Sequence, residues 1–318
     1  TGGHCERVPE IAMLLADAVE KTTDGKYKDF SMTEDERYEL YIAAWLHDCG
    51  KVATPTHIVD KSTKLETITD RIKTVDTRFE VKRRDLEISM LKKQIQLMKN
   101  GSADDAMAQI KSDYEKVLSQ LNDDREFIRA SNRGGEFMAE DERKRVADIG
   151  KYKWISDGTE IPFLDTDEVR NLQIPKGTLL PEEREIINDH IVITIEMLEK
   201  LPYPKKLKNV PEFAGGHHEK LDGTGYPKGL KDEDMSIQAK IMAISDIYEA
   251  LTAKDRPYKV GYKLSEAMEI MGLMKNNNEI DKDLFDIFVK KGVYKEYADT
   301  FLDADQNDAV NEASLIGK

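Results

Sequence analysis

Five of the six histidines in this 318-residue chain stand in patterns that suit metal ligation: His4, His47, His190, His217 and His218. His47 is followed directly by Asp48 in the run Leu46-His47-Asp48-Cys49-Gly50-Lys51. His217 and His218 are adjacent and shortly precede Gly225-Tyr226-Pro227. Imidazole and carboxylate together suit divalent iron, manganese, nickel or zinc. Asp246 adds a second carboxylate from the apolar stretch Ile241-Met242-Ala243-Ile244-Ser245-Asp246-Ile247-Tyr248. A carboxylate can bridge two cations, which then share a hydroxide and clamp the attacking and leaving oxygens of an in-line displacement. Two such ions need roughly six or more protein ligands, and the set His4, His47, Asp48, His190, His217, His218 and Asp246 is large enough. The residue types imply metal-dependent chemistry on a phosphate ester. His57, in a Pro-containing loop, reads as structural or surface-exposed.

The elements that must position these groups are helical almost throughout. Ile11, Leu14, Leu15 and Ala18 mark one amphipathic face, and Leu40, Tyr41, Ala44 and Trp45 mark another. The second helix carries His47 and Asp48 at its C-terminal end, where Gly50 is expected to stop it. A helix opens at Pro181-Glu182-Glu183, with Leu180 a poor residue at its cap, and carries Ile186, Ile187, His190 and Ile191. Between these parts, Ile68, Ile72, Val75, Phe79 and Leu86 trace a heptad seam interrupted at Lys82 and Ser89. Asn100-Gly101-Ser102 signals a turn with a capping serine. A second apolar run follows through Met107, Ile110, Tyr114, Val117, Leu118 and Leu121. The expectation is a long antiparallel helical hairpin, broken by Arg133-Gly134-Gly135. A further helix is expected from Glu140 to Tyr152, then an irregular stretch to Thr178. The domain reading is 1–65 and 180–295 as two parts of one domain, 66–179 as an inserted hairpin and return segment, and 296–318 as a loosely held polar tail.

Composition narrows the function classes. Charged residues make up 35% and hydrophobic residues 39%, with a net charge of −14. That argues against a duplex nucleic-acid binder, which needs a basic face. A small anionic substrate remains compatible, because metals and a few local lysines and arginines reverse the field inside a cleft. No apolar run approaches the roughly 20 residues that span a bilayer. Cys5 and Cys49 sit beside expected ligands and give no disulfide framework, so a reducing cytoplasm is expected. The opening Thr1 suggests a piece of a longer protein.

Six motifs, taken together, resemble a known family. They are Thr1-Gly2-Gly3-His4-Cys5-Glu6-Arg7-Val8; His47-Asp48-Cys49-Gly50-Lys51; His190; His217-His218-Glu219-Lys220-Leu221-Asp222-Gly223-Thr224-Gly225-Tyr226-Pro227; Ser245-Asp246-Ile247-Tyr248-Glu249-Ala250-Leu251-Thr252; and Asp255-Arg256-Pro257-Tyr258-Lys259. In order and spacing they resemble the HD-GYP subgroup of the HD phosphohydrolases, over about 1–65 and 180–295. The resemblance implies an all-α HD-superfamily bundle, here carrying the long coiled-coil-like hairpin as an insertion. It implies a di- or trinuclear centre, usually of iron or manganese. It also implies hydrolysis of a cyclic dinucleotide, chiefly cyclic di-GMP, to linear pGpG or GMP by a metal-bridging hydroxide oriented by Asp48.

Carried over residue by residue, His4, His47, Asp48 and Asp246 would hold one metal. His190, His217 and His218 would hold the second, with Asp48 bridging. Lys51 would contact the scissile phosphate. Gly225 and Tyr226 would belong to the loop that receives a guanine, stiffened by Pro227. Arg256 and Lys259 would read the base edge or the second phosphate. Glu219 and Asp222 would orient histidines or the loop. Trinuclear members carry a glutamate four residues before the first histidine, a position that precedes Thr1. More than a hundred residues separate Lys51 from His190, where the family has a short stretch. A sensory or receiver domain upstream is expected of the family, and a homodimer through the hairpin is the functional reading of the insertion. The alternatives are a phosphodiesterase for a guanine–adenine hybrid cyclic dinucleotide or another nucleotide, and a non-catalytic module that binds the dinucleotide and signals.

Overall fold

The structure, a computed structural model, describes residues 2–100, 104–135, 137–254 and 261–316. Two compact units emerge: residues 1–55 with 185–318, and residues 56–184. The fold is all-α apart from one two-stranded ribbon among the described residues.

The first unit opens with α1 (Gly2–Glu20) and α2 (Glu34–Leu46), followed by a short 3-10 segment (Cys49–Ala53). Helix α1 buries Val8, Ile11, Ala12, Leu15, Ala16, Ala18 and Val19, the three-and-four spacing of one helical face. Helix α2 begins where a capping box forms: the Thr33 side chain accepts from Glu36 N, and the Glu36 carboxylate accepts from Thr33 N at 2.7 Å.

The second unit holds α3 (Thr56–Val59), α4 (Ile72–Lys99), α5 (Asp104–Asn132), α6 (Glu140–Gly150), strands β1 (Lys153–Ser156) and β2 (Thr159–Pro162), and α7 (Thr166–Leu172). Helices α4 and α5 pack along each other, and Asp76 on α4 receives Arg125 Nε and Arg129 Nε of α5, each at 2.9 Å. The core of this unit collects Val75, Phe79, Leu121, Ile128, Val146, Ile149, Phe163 and Leu172.

Helix α8 (Pro181–Asn188) straddles the boundary. The first unit then resumes with α9 (His190–Glu199), α10 (Val210–Gly215), α11 (Ile237–Thr252), α12 (Leu264–Asn276), α13 (Lys282–Lys290), α14 (Val293–Phe301) and α15 (Glu312–Leu315). Its main core joins α1 and α2 to α11–α15 through Ile11, Leu15, Leu40, Ile244, Tyr248, Phe285, Phe288 and Tyr297.

Several sequence expectations are corrected. Ile68 lies before α4, is 93% exposed, and takes no part in the seam. The stretch 152–178 is not irregular. Ser156 pairs with Thr159 around Asp157 and Gly158, whose φ values of 49° and 72° make the tight two-residue turn of a β-hairpin; α7 follows, its start capped by Asp165. The residues after 296 are not a loose tail. Tyr297, Ala298 and Leu315 are core residues, and Gln306 Nε2 donates to Thr252 O at 2.9 Å and Tyr262 O at 3.0 Å. The helix read from Pro181 through Ile191 breaks at Asp189, and the poor cap at Leu180 is made good by the Glu183 carboxylate, which accepts from Leu180 N at 2.8 Å. Of the expected Asn100-Gly101-Ser102 turn, Asn100 ends α4, and the other two lie outside the described residues.

Lys64 is buried in the second unit, where its Nζ donates to Leu172 O at 3.0 Å and Ile174 O at 2.7 Å. Burial pulls its pKa down to about 8, against a weaker upward pull from Glu142. Below that pH the lysine is charged in both folded and unfolded chains, and the burial cost is fully present. Above it the folded chain releases a proton that the unfolded chain keeps up to a pKa of roughly 10.4. Stability should therefore rise with pH across that window. Chemical denaturation at stepped pH should show this slope in the parent chain and not in Lys64→Met; equal slopes would contradict it.

Candidate metal centre

The centre lies in the first unit, where the ends of several helices converge. His4 sits in the first turn of α1. His47 caps the C-terminus of α2, and Asp48 follows it. His190 opens α9, His217 and His218 follow α10, and Asp246 lies on the buried face of α11. Three overlapping groups place ligand atoms close enough to hold a cation: His4, His47 and Asp246; His190, His217 and His218; and His47, Asp48 and His217. The structure thus brings together all seven side chains expected as ligands.

Their orientation follows from helix geometry. The ring Nδ1 of His47 donates to Ala44 O at 2.7 Å, that of His190 to Ile187 O at 2.5 Å, and that of His217 to Ala214 O at 2.6 Å. Each acceptor is the carbonyl three residues earlier, a group left open where a helix ends. A carbonyl can only accept, so Nδ1 carries the proton and the Nε2 lone pair turns inward. His4 is oriented differently. Its Nδ1 donates to Glu249 Oε2, and Glu249 Oε1 accepts from Arg7 Nε at 2.8 Å. Glu249 and Arg7 were not singled out from the sequence. The signal was present: Glu249 falls three residues after Asp246 in a largely apolar stretch, and Arg7 three after His4, so each partner lies one turn beyond a ligand.

Asp48 sits at the middle. Its Oδ2 lies 3.4 Å from His4 Nε2 and 3.6 Å from His47 Nε2, whereas its Oδ1 lies 3.2 Å from His190 Nε2 and 4.0 Å from His217 Nε2. Asp246 Oδ1 lies 3.1 Å from His4 Nε2. Asp48 Oδ1 and His217 Nε2 are buried and have no aligned hydrogen-bond partner. Buried polar atoms without a partner are uncommon and costly, and these two face each other inside a set of nitrogen and oxygen donors. The residues therefore fit divalent cations.

The charge balance agrees. Burial opposes ionisation of Asp48 and Asp246, yet the surrounding imidazoles, and Lys51 beside Asp48, hold both well below the usual carboxylate range. Burial also opposes the charged form of His4, but Asp246, Asp48 and Glu249 push it up to about 11. Burial pulls His218 down to about 4, and burial with the neighbouring His218 and His47 pulls His217 below its ordinary value.

The other expected residues fall around this centre. Lys51 Nζ donates to Asp48 Oδ2 at 2.5 Å and stays 21% exposed. Tyr226 stacks on His218, with ring centroids 4.8 Å apart. Gly225 serves the loop itself, since a Cβ there would strike the backbone of Glu219 and Lys220. The Glu219 carboxylate accepts from Lys228 N at 2.7 Å and Leu230 N at 2.9 Å, and Asp222 Oδ1 accepts from Thr224 N at 2.9 Å, so both acids shape the loop. Pro227 lies in the same loop, His57 is exposed, and Arg256 and Lys259 fall outside the described residues.

Gly50 does not stop α2, which ends at Leu46. Its absent side chain makes room for α9: a Cβ would collide with His190 O and Thr194 N, both rigid backbone. Gly50 N also donates to Thr194 Oγ1 at 2.9 Å, locking the His47-Asp48 turn against the helix that carries His190. Gly50→Ala should cost about 1–3 kcal/mol, read as a lower denaturation midpoint of the metal-free chain. An unchanged midpoint would argue against this packing.

HD domain family models match residues 1–126 and, separately, residues 164–284. A probable cyclic di-GMP phosphodiesterase of Vibrio cholerae is 32% identical over 188 residues, 54% of this chain and 41% of that protein. The chain is similar to HD domain proteins at both ends, and its motifs resemble those of the HD-GYP subgroup. Two further relatives carry shorter matches of higher identity. A cyclic di-GMP phosphodiesterase of Pseudomonas aeruginosa is 46% identical over 79 residues, 24% of this chain and 18% of that protein. A 3′3′-cGAMP-specific phosphodiesterase of Vibrio cholerae is 42% identical over 81 residues, 26% of this chain and 19% of that protein. The chain thus spans less than half the length of these curated HD-GYP relatives. No described helix of this chain is long and apolar enough to cross a membrane.

Proposed function

We propose that this chain is a metal-dependent phosphodiesterase that hydrolyses a cyclic dinucleotide, cyclic di-GMP first, to the linear dinucleotide or on to GMP. The observation that carries the reading is the position of Asp48, whose two carboxylate oxygens face two separate groups of histidines. His4, His47 and Asp246 would hold one divalent cation and His190, His217 and His218 the other, with Asp48 shared. When bound, such ions supply Lewis acidity toward a phosphodiester.

The chain's own residues do the rest. Ring nitrogens tethered to carbonyls and to Glu249 keep the donor set arranged before any ligand arrives. Lys51 places a cation at the exposed edge of the centre, where it meets a phosphate oxygen and stabilises the charge that develops on it. Tyr226, on the loop closed by Glu219, sets an aromatic ring beside His218, and we assign it and the loop backbone at Gly225 to contact with a base. Arg256 and Lys259 are assigned to the base edge or the second phosphate on their sequence alone. The departing ribose oxygen takes its proton from solvent or from an acid not assigned among these residues.

The names of the relatives support a cyclic dinucleotide as substrate. The stretches similar to 3′3′-cGAMP-specific enzymes favour one alternative, a guanine–adenine hybrid. Iron or manganese as the native metal, a cytoplasmic location, an upstream sensory or receiver domain and a homodimer through the hairpin complete the reading. Purified protein loaded with manganese or ferrous iron, assayed against cyclic di-GMP, the hybrid and cyclic di-AMP, should convert cyclic di-GMP fastest. Preference for the hybrid would select the alternative. Tight binding without turnover in any metal would make the chain a signalling module.

A further inference from the structure

Helix α4 carries two apolar stripes on opposite faces. The inner one, which the sequence alone marks as a heptad seam, is spent inside the chain: Val75 and Phe79 are buried in the core with α5 residues, and Leu86 packs against it. The outer one is displaced by two residues, which is 200° of rotation on a helix of 3.6 residues per turn. It runs through Val81, Ile88, Leu91, Ile95 and Met98. The last four are 48%, 46%, 53% and 66% exposed. Helix α5 shows no such stripe. It gives solvent Lys111, Asp113, Glu115 and Lys116, and Val117 is its one large exposed apolar side chain among the described residues.

We propose that a second copy of this chain docks on the outer face of α4, forming a short parallel two-stranded coiled coil centred on Ile88 to Met98. The spacing three, four, three from Ile88 is that of a and d positions. Val81, Ile88 and Ile95 fall at a, all β-branched, and Leu91 and Met98 fall at d. Branched residues at a with leucine at d are the arrangement that favours two parallel strands. In that register Glu87 takes the g position, and Lys92, five residues on, takes e. Glu87 of each copy thus faces Lys92 of the other, with opposite charges. Glu87 meets Arg83 of its own helix only at 3.4 Å, on an exposed surface, where such a pair contributes little. One turn earlier the pattern fails. Arg84 occupies d, and Glu80 would face Asp85, a like-charged pair. The seam therefore ends near Glu87 and is short. Pairing would bury on the order of 1,000 Å², the lower edge of specific interfaces. Interfaces of that size are weak and reversible, so dimer and monomer should exchange with concentration.

Sedimentation of the whole chain from about 1 to 300 μM tests this, with far-UV circular dichroism and the denaturation midpoint as folding controls. The parent chain should pass from monomer to dimer across the range. The double substitution Ile88→Glu with Ile95→Glu, on a face already half exposed, should leave the fold intact and hold the chain monomeric throughout. Glu87→Lys alone should weaken the dimer at least several-fold, and adding Lys92→Glu in the same chain should restore it. A parent that stays monomeric at 300 μM overturns the proposal, as does a double variant that dimerises like the parent. A dimer indifferent to the two charge reversals overturns the parallel register.

Discussion

Asp48→Asn loses both turnover and one of the two bound metals. The substitution conserves size, so the buried site keeps its packing, but it replaces one lone-pair oxygen with an amide nitrogen. Asn can still turn its oxygen toward His4 and His47 and accept from Lys51, or turn it toward His190 and His217. It cannot serve both groups, because the other side then meets N–H hydrogens. Metal content measured after loading and desalting should fall from two ions per chain to one, and kcat should fall by about three orders of magnitude or more, as when a member of an interdependent catalytic set is removed. Wild-type turnover in this variant would take Asp48 out of the reaction.

Glu249→Gln should weaken one metal position selectively. His47, His190 and His217 hold their Nδ1 protons on the backbone carbonyl three residues earlier, at the end of the preceding helical turn, but His4 stands too near the start of α1 for that and relies on α11. That helix supplies both Asp246, a ligand, and Glu249, which orients another ligand. Replacing a carboxylate that fixes a ligating imidazole typically costs 10–100-fold in metal affinity. Competition with a chelator should show this loss for one equivalent of metal and leave the equivalent at His190, His217 and His218 unchanged. The substitution also neutralises the carboxylate that accepts from Arg7 Nε, a separate cost to folding. Arg7→Met combined with Glu249→Gln should relieve that cost without restoring the affinity. Restored affinity would mean that Glu249 acts on stability alone.

Much of the centre could be read in the sequence because metal ligation demands particular residue types. Histidines are few here, and five of six fell into recognisable runs, so a list of side chains was already close to a list of donors. What could not be read was how they are held. The contacts of Gly50 with α9 and of Glu249 with His4 join residues more than a hundred positions apart, and the one local hint is the place of Glu249 a turn beyond Asp246. Gly50 is instructive: glycine after a helix suggests a stop, but here it is needed for close approach of another backbone. Helical periodicity gave α1, α2, α4 and α5. The ribbon β1–β2 was legible and missed. Asp157-Gly158 is a strong two-residue hairpin signal, but Lys153–Ser156 and Thr159–Pro162 are too short and too polar to stand out as strands. The C-terminal residues misled for a related reason. Their composition is polar, and the few groups that anchor them, Tyr297, Gln306 and Leu315, find partners only in the folded unit.

The central claim is hydrolysis of a cyclic dinucleotide at a two-metal centre organised by Asp48. The most direct test follows manganese-loaded protein acting on cyclic di-GMP in water enriched in oxygen-18, with the products read by mass spectrometry. The account predicts a linear dinucleotide that carries one heavy oxygen on its new terminal phosphate, absent when Asp48→Asn replaces the parent chain. Recovery of intact cyclic di-GMP from protein holding two metals per chain would contradict it.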